Sequence, residues 1–250
     1  MFDPGWWQRD GLRYVDGRLH MAQQDLLQLV QRCETPLFVY DSARVRDNLQ
    51  RLHSALESQQ LDYRIFYALK ANRFAPLIAA MRHWGLCGID ACSPGELLLA
   101  RQHGFAENEI SYTGTSVANS DLDLLARHPG VHINCDSLST IRRLGERDPG
   151  RRIGIRINPR VGAGFGLQNL AAYYQTPFVV APLAITGTNT MATVTVAGHI
   201  NEAIDLLAED VDLPPLREGD YLAFLNAGGY GASSSSNHCM RGAHSEFLVG

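Results

Sequence analysis

The sequence predicts an α/β protein in which a parallel sheet with covering helices is followed by a smaller antiparallel β region. Two observations carry this expectation. Between residues 65 and 157, short apolar runs alternate with stretches of helical periodicity, an order that builds right-handed βαβ units. At residues 162–166 the chain reads Gly-Ala-Gly-Phe-Gly and the rhythm stops. Beyond it, the runs at 178–180, 193–196 and 221–224 are separated by Pro, Gly, Asn and Thr clusters, as in antiparallel structure.

In chain order, Asp16 and Gly17 signal a turn inside a polar hairpin at 13–20, and a helix follows at 25–32. A short strand is expected at 35–40. From 42 to about 59, Val45, Leu49, Leu52 and Leu56 recur at helical spacing. Ile65, Phe66, Tyr67 and Leu69 then form the first strand of the alternating part, and so unbroken an apolar run suits a strand covered on both faces. Helices at 76–84, from Pro94 onward, 121–127 and 138–146 separate strands at 88–92, 110–113, 131–135 and 153–157. That makes five parallel strands. The serines at 233–236 are a short loop, and no internal repeat is found.

A chain of 250 residues with 45% hydrophobic residues builds a substantial core. The net charge of -4 and a pI near 6.1 leave no basic stripe for nucleic acid or anionic membranes, so small molecules are the expected partners. Cys33, Cys87, Cys92, Cys135 and Cys239 are scattered, odd in number and without a C-x-x-C pair. This argues against a disulfide framework or structural zinc and for reduced thiols in a cytoplasm. No export signal or membrane span is expected.

Lys70 is the foremost candidate for chemistry. It follows the first parallel strand at its carboxyl end, where barrel enzymes keep their reactive groups. Partial burial at such a place disfavours an ammonium and frees the amine to form a Schiff base. The bland alternative is a lysine that simply reaches solvent from a strand end.

Several ordered motifs add to this reading: FYALKAN at 66–72, GIDACSPGEL at 88–97, TGT at 113–115, NCDSLSTI at 134–141, RINP at 156–159 and AEDVDLPPLREGDYLAFLNAGGYG at 208–231. In order and spacing the chain resembles the fold-type III pyridoxal-phosphate decarboxylases, the group of diaminopimelate, ornithine and arginine decarboxylases. The resemblance implies a partial (β/α) barrel of the alanine racemase-like type, about five of eight strands, plus a C-terminal antiparallel β domain. The expected boundaries are 1–34 for an N-terminal segment packing with the β domain, 35–166 for the shortened barrel and 167–250 for the β domain. It further implies pyridoxal 5'-phosphate on Lys70, with Asp90, Arg156 and Tyr230 as cofactor neighbours. Capping of the Pro94 helix for Asp90, and a structural ion pair for Arg156, stand as alternatives.

GHINEAID at 198–205 is similar to the family's Gly-Pro-x-Cys-Glu-Ser-x-Asp segment, which reaches across a dimer interface to the substrate. Asn201 stands where the family has cysteine, and asparagine has no titratable proton to donate. Glu202 keeps the acid and leans towards diaminopimelate. Tyr173 matches a substrate-contacting tyrosine, although the arginine expected four residues earlier is Asn169.

A complete barrel takes about 250 residues, and residues 35–166 supply roughly 130. Three βα units of the family pattern are missing, with the ring-stacking histidine, the glycine-rich phosphate loop and the Glu-Pro-Gly-Arg segment. The glycines at 162–166 do not sit between strand and helix as a phosphate cradle requires, and read as the junction of an internal deletion. The resemblance therefore implies decarboxylation of a basic or diamino acid by a dimer, of two copies or with a homologue. Its alternative is a catalytically silent relative that binds a partner.

Overall fold

The structure is a computed structural model, and it describes residues 7–157, 179–185, 190–198, 205–235, 240 and 243–250. The chain divides into two compact units, residues 45–160 and residues 1–44 with 161–250.

The continuous unit is built on one sheet. Strands β5 (Phe66–Ala68), β6 (Gly88–Ala91), β7 (Ile110–Tyr112), β8 (His132–Cys135) and β9 (Ile153–Ile155) lie side by side in chain order. All four pairings are parallel. Helices α2 (Ser42–Ser58, beginning in the other unit), α3 (Ala75–Trp84), α4 (Pro94–Gln102), α5 (Asn119–Ala126) and α6 (Leu138–Arg147) alternate with the strands. The expected α/β architecture of five parallel strands is therefore present.

Side-chain alternation along a strand gives the sheet two unlike faces. Ile89, Ala91, Ile110, Tyr112, Ile133 and Cys135 point to one side and are buried, together with Leu77, Ile78, Met81, Leu97, Leu122, Leu125 and Leu144 from the helices. Register places Ala68, Asp90, Ser111, His132, Asn134 and Gly154 on the other side. This second face is polar. Local signals set the helix starts: the Ser93 hydroxyl accepts the Glu96 N–H while the Glu96 carboxylate accepts the Cys92 N–H, and Pro94 occupies the first turn.

The second unit begins with the hairpin of β1 (Leu12–Val15) and β2 (Arg18–Met21), to which β3 (Gln24–Asp25) adds a strand and α1 (Leu26–Val30) a helix. Asp16 and Gly17 both take positive φ in the turn, which the hairpin's twist favours. Trp7, Leu12, Leu19, Leu26 and Leu29 share a core with Ala181, Leu183 and Leu225, so the N-terminal segment packs on strands far along the chain. Those strands are β10 (Val179–Pro182) and β13 (Leu222–Leu225), an antiparallel pair, as is β11 (Ala192–Ala197) with β12 (Leu206–Leu213). The strand expected at 35–40 is β4 (Leu37–Asp41), and it pairs in parallel with β14 (Ser245–Val249). Neither β12 nor β14 is signalled by sequence periodicity.

Candidate functional site

Strand β5 ends at Ala68, and Leu69–Ala71 form a single 3-10 turn. Leu69 is wholly buried and Asn72 nearly so, with the Asn72 side-chain oxygen accepting the Phe74 N–H. These two anchors hold the turn from both sides. Lys70 between them is exposed. The expected partial burial of Lys70 is thus not found, because the turn lifts it off the end of the strand while Leu69 takes the core position. Lys70 is also the only lysine in the chain, the other 21 of its 22 Lys and Arg residues being arginine. That count was open to sequence reading and sharpens the candidate.

Asp90 stands opposite Ala68 on the polar face of β6. It does not cap the following helix, since Ser93 does. Its Oδ1 accepts a hydrogen bond from the Thr113 hydroxyl at 3.0 Å. Thr113 extends β7, its N–H donating to the Ala91 carbonyl, and Arg156 extends β9 in the same way towards the Cys135 carbonyl. Arg156 is exposed and makes no ion pair among the described residues. The Cys92 thiol, just after β6, is pushed up by burial first, then by the negative charges of Asp90 and Glu96, while the charges of Lys70 and Arg156 act in the opposite sense. Three charged groups at strand ends, and Glu96 from the first turn of α4, thus act on Cys92. Held up in this way, the thiol is a poor nucleophile.

Tyr230 belongs to the other unit, in the turn after β13, and adopts a left-handed φ of 66°. Glu202, Asn201 and Tyr173 lie outside the described residues, as do Asn169 and the glycines at 162–166. Among the described residues no cluster suited to a metal ion occurs, and no helix is long and apolar enough to cross a membrane. Cys33, Cys87, Cys92 and Cys135 are free thiols.

A cleft of about 400 Å³ lies at the opposite, amino ends of the strands, lined in part by Arg64, His132, Arg151 and Arg152. Its size does not make it the site. Arg151 is spent on the carbonyls of Leu125, His128 and Val131 and on the Asp148 carboxylate, which ties down the loops there. The amine, the carboxylate and the Arg156 guanidinium all stand at the carboxyl ends, where parallel βα sheets carry function.

Sequence reasoning missed Ser111, Thr113 and Asn134. A usable signal exists: Asp90, Ser111, Thr113, His132 and Asn134 are polar residues at every second position of otherwise apolar strands.

Comparisons agree with this picture. Residues 42–170 match the family described as "Pyridoxal-dependent decarboxylase, pyridoxal binding domain", and residues 164–228 match its "C-terminal sheet domain". Diaminopimelate decarboxylase of Methanothermobacter thermautotrophicus is 41% identical over 149 residues, 59% of this chain and 34% of that protein. The L-glutamyl-[BtrI acyl-carrier protein] decarboxylase of Niallia circulans is 31% identical over 146 residues, 56% of this chain and 33% of that protein. The matched part thus spans about a third of the length of these relatives. In fold, the chain is similar to AQ1208 from Aquifex aeolicus, with a TM-score of 0.82 at 20% identity, covering 96% of this chain and 92% of that one. Diaminopimelate decarboxylase from M. jannaschii in complex with L-lysine gives a TM-score of 0.80 at 14% identity, covering 96% and 93%. At such identities the likeness is one of fold.

Proposed function

This chain belongs to the pyridoxal-dependent decarboxylases, and from that premise we propose that it holds pyridoxal phosphate on Lys70 and decarboxylates a diamino acid of the diaminopimelate type. The observation that carries the reading is the placing of the chain's one lysine, exposed on a pinned turn at the carboxyl end of the parallel sheet, with Asp90 on the neighbouring strand and Arg156 following β9 at the same end.

The residues present fit the cofactor's reactive end. An exposed primary amine takes an aldehyde, a guanidinium with no ion pair among the described residues suits an anionic oxygen or phosphate, and a carboxylate with one oxygen unbonded among those residues accepts from a cation or donor. When bound, pyridoxal phosphate supplies a ring that withdraws the electron pair left behind by departing CO2. Lys70 provides covalent attachment and fixes position. Asp90 offers a carboxylate on the strand next to that of Lys70, and Arg156 a guanidinium at the same end of the sheet. By the family resemblance, Tyr230 would serve the cofactor, and Glu202, Asn201 and Tyr173 the substrate. Asn201 has no titratable proton to deliver, so in this reading another group or water protonates the product carbon.

The test is reduction with borohydride in the presence of pyridoxal phosphate, read by intact mass and peptide mapping. One saturable adduct at Lys70 is the expected result, and the unreduced chain loaded with pyridoxal phosphate should release CO2 from diaminopimelate but not from ornithine or arginine. A wild-type chain without a Lys70 adduct overturns the reading. An adduct without turnover of any diamino acid assigns the chain to the catalytically silent alternative.

A further inference from the structure

The motifs TGT and NCDSLSTI mark the chain without entering the function above, and the structure joins both to Asp90. We propose that Thr113 and Asn134 are positioning residues: a directed chain of hydrogen bonds from Asn134 through Thr113 holds the Asp90 carboxylate towards the cofactor at Lys70. The inference rests on that cofactor assignment.

The geometry fixes the direction of the chain. The Thr113 hydroxyl oxygen lies 3.0 Å from Asp90 Oδ1 and 3.0 Å from Asn134 Nδ2. An ionised carboxylate only accepts and an amide nitrogen only donates, so the hydroxyl accepts from Asn134 and gives its own proton to Asp90. The other Asn134 proton goes to the Ser111 hydroxyl oxygen at 3.1 Å. Both amide protons are committed, and the amide cannot turn without losing one. The last bond, ending on a charge, is the strong one, and the donors behind it polarise it further.

Neighbouring strands make room for this arrangement. A Cβ at Gly154 on β9 would collide with the Asn134 side-chain oxygen. Four strands thus contribute to the placing of one carboxylate. A role confined to holding the sheet together does not explain where the row ends. The backbones of β6, β7 and β8 are already paired, yet the last member presents an oxygen with no further hydrogen bond among the described residues.

The experiment compares the wild-type chain with Thr113→Val, Thr113→Ser and Asn134→Asp, alone and with Thr113→Val combined with Asn134→Asp. Two quantities are read: the pyridoxal-phosphate concentration that half-saturates the Lys70 adduct, and the rate of Cys92 alkylation without cofactor. Thermal melts check that each variant is folded. Thr113→Val removes the donor to the carboxylate and should raise half-saturation about tenfold, the worth of one hydrogen bond to a charged group. Asn134→Asp makes a second carboxylate compete for the Thr113 proton and should cost a similar factor, with the double variant no worse than either. Thr113→Ser keeps the hydroxyl and should stay within about twofold of wild type. With Asp90 freed to turn away, Cys92 should alkylate about threefold faster in Thr113→Val.

A folded Thr113→Val chain that binds like wild type, losses that add in the double variant, or a Thr113→Ser chain as weak as Thr113→Val each overturn the positioning role while leaving cofactor attachment intact. A wild-type chain that forms no Lys70 adduct overturns both.

Discussion

The two faces of the five-stranded sheet are made by the same residues' neighbours, one position apart, and they do different work. On one, Ile89, Ile110 and Ile133 are at most 2% exposed beneath the helices. On the other, Asp90, Thr113 and Asn134 form a polar row that needs no helix over it. The strand period of two separates a face that supplies stability from one that supplies chemistry. The separation also has a limit within the apolar face itself. Ile155 on β9 points the same way as Ile133 on β8 yet is 68% exposed, because no described helix follows β9 in this unit. Burial comes from the covering helix and not from the residue type.

Substitutions can break or sharpen this contrast. The largest effect is expected from Lys70→Ala, which should abolish the borohydride-trapped adduct completely while shifting the melting temperature hardly at all, since Lys70 is exposed. Ile133→Ala should do the reverse. It opens a cavity under the helices and should cost about 2–5 kcal/mol in denaturant unfolding, with Lys70 labelling unchanged wherever the chain is folded. Gly154→Ala crosses the divide: a methyl on the polar face should cost about 1–3 kcal/mol by forcing Asn134 aside, and weaken the adduct as well.

Smaller still is the acid response at the amino ends of the strands. There the Glu107 carboxylate is held below its ordinary value, chiefly by the His128 hydrogen bond and against the opposing effect of burial. A depressed folded-state value stabilises above the unfolded value of about 4.3 and is lost as pH falls through the lower folded one. Glu107→Gln should therefore cost about 1 kcal/mol at pH 6 and nothing at low pH, seen in melts across that range. Ile155→Thr should come last, within about 0.5 kcal/mol, although it changes the same residue type on the same face as Ile133→Ala.

Much of this was legible in the sequence because alternation with period two and period 3.6 is a local signal. The βα units and the Asp16-Gly17 hairpin needed nothing else. Strand β12 escaped because Glu209, Asp210 and Asp212 fill most of its exposed positions and leave only Ala208 and Leu213 buried. Strand β14 escaped because its partner, β4, lies some 200 residues earlier, and no local pattern announces a parallel pairing over that distance. The exposure of Lys70 was hidden by the 3-10 turn, which an apolar run ending in Leu69 does not reveal. The contact from Asp90 to Thr113 to Asn134 depends on strand order, which the alternation implied, and on rotamers, which it did not.

The pairing of Leu37–Asp41 with Ser245–Val249 has a consequence for how the molecule comes into being. The sheet of β5 to β9 joins neighbours in sequence, so its contacts can close while later residues are still being added. The unit containing β4 cannot complete itself until the last strand exists, because the Tyr40 hydroxyl meets Glu246 and the Ser42 hydroxyl meets the Gly250 carbonyl. In the same unit Leu12, Leu19, Leu26 and Leu29 wait for Ala181, Leu183 and Leu225 to cover them. That interval, set by loop closure over more than a hundred residues, leaves these apolar side chains exposed on the nascent chain, the condition under which aggregation competes with folding.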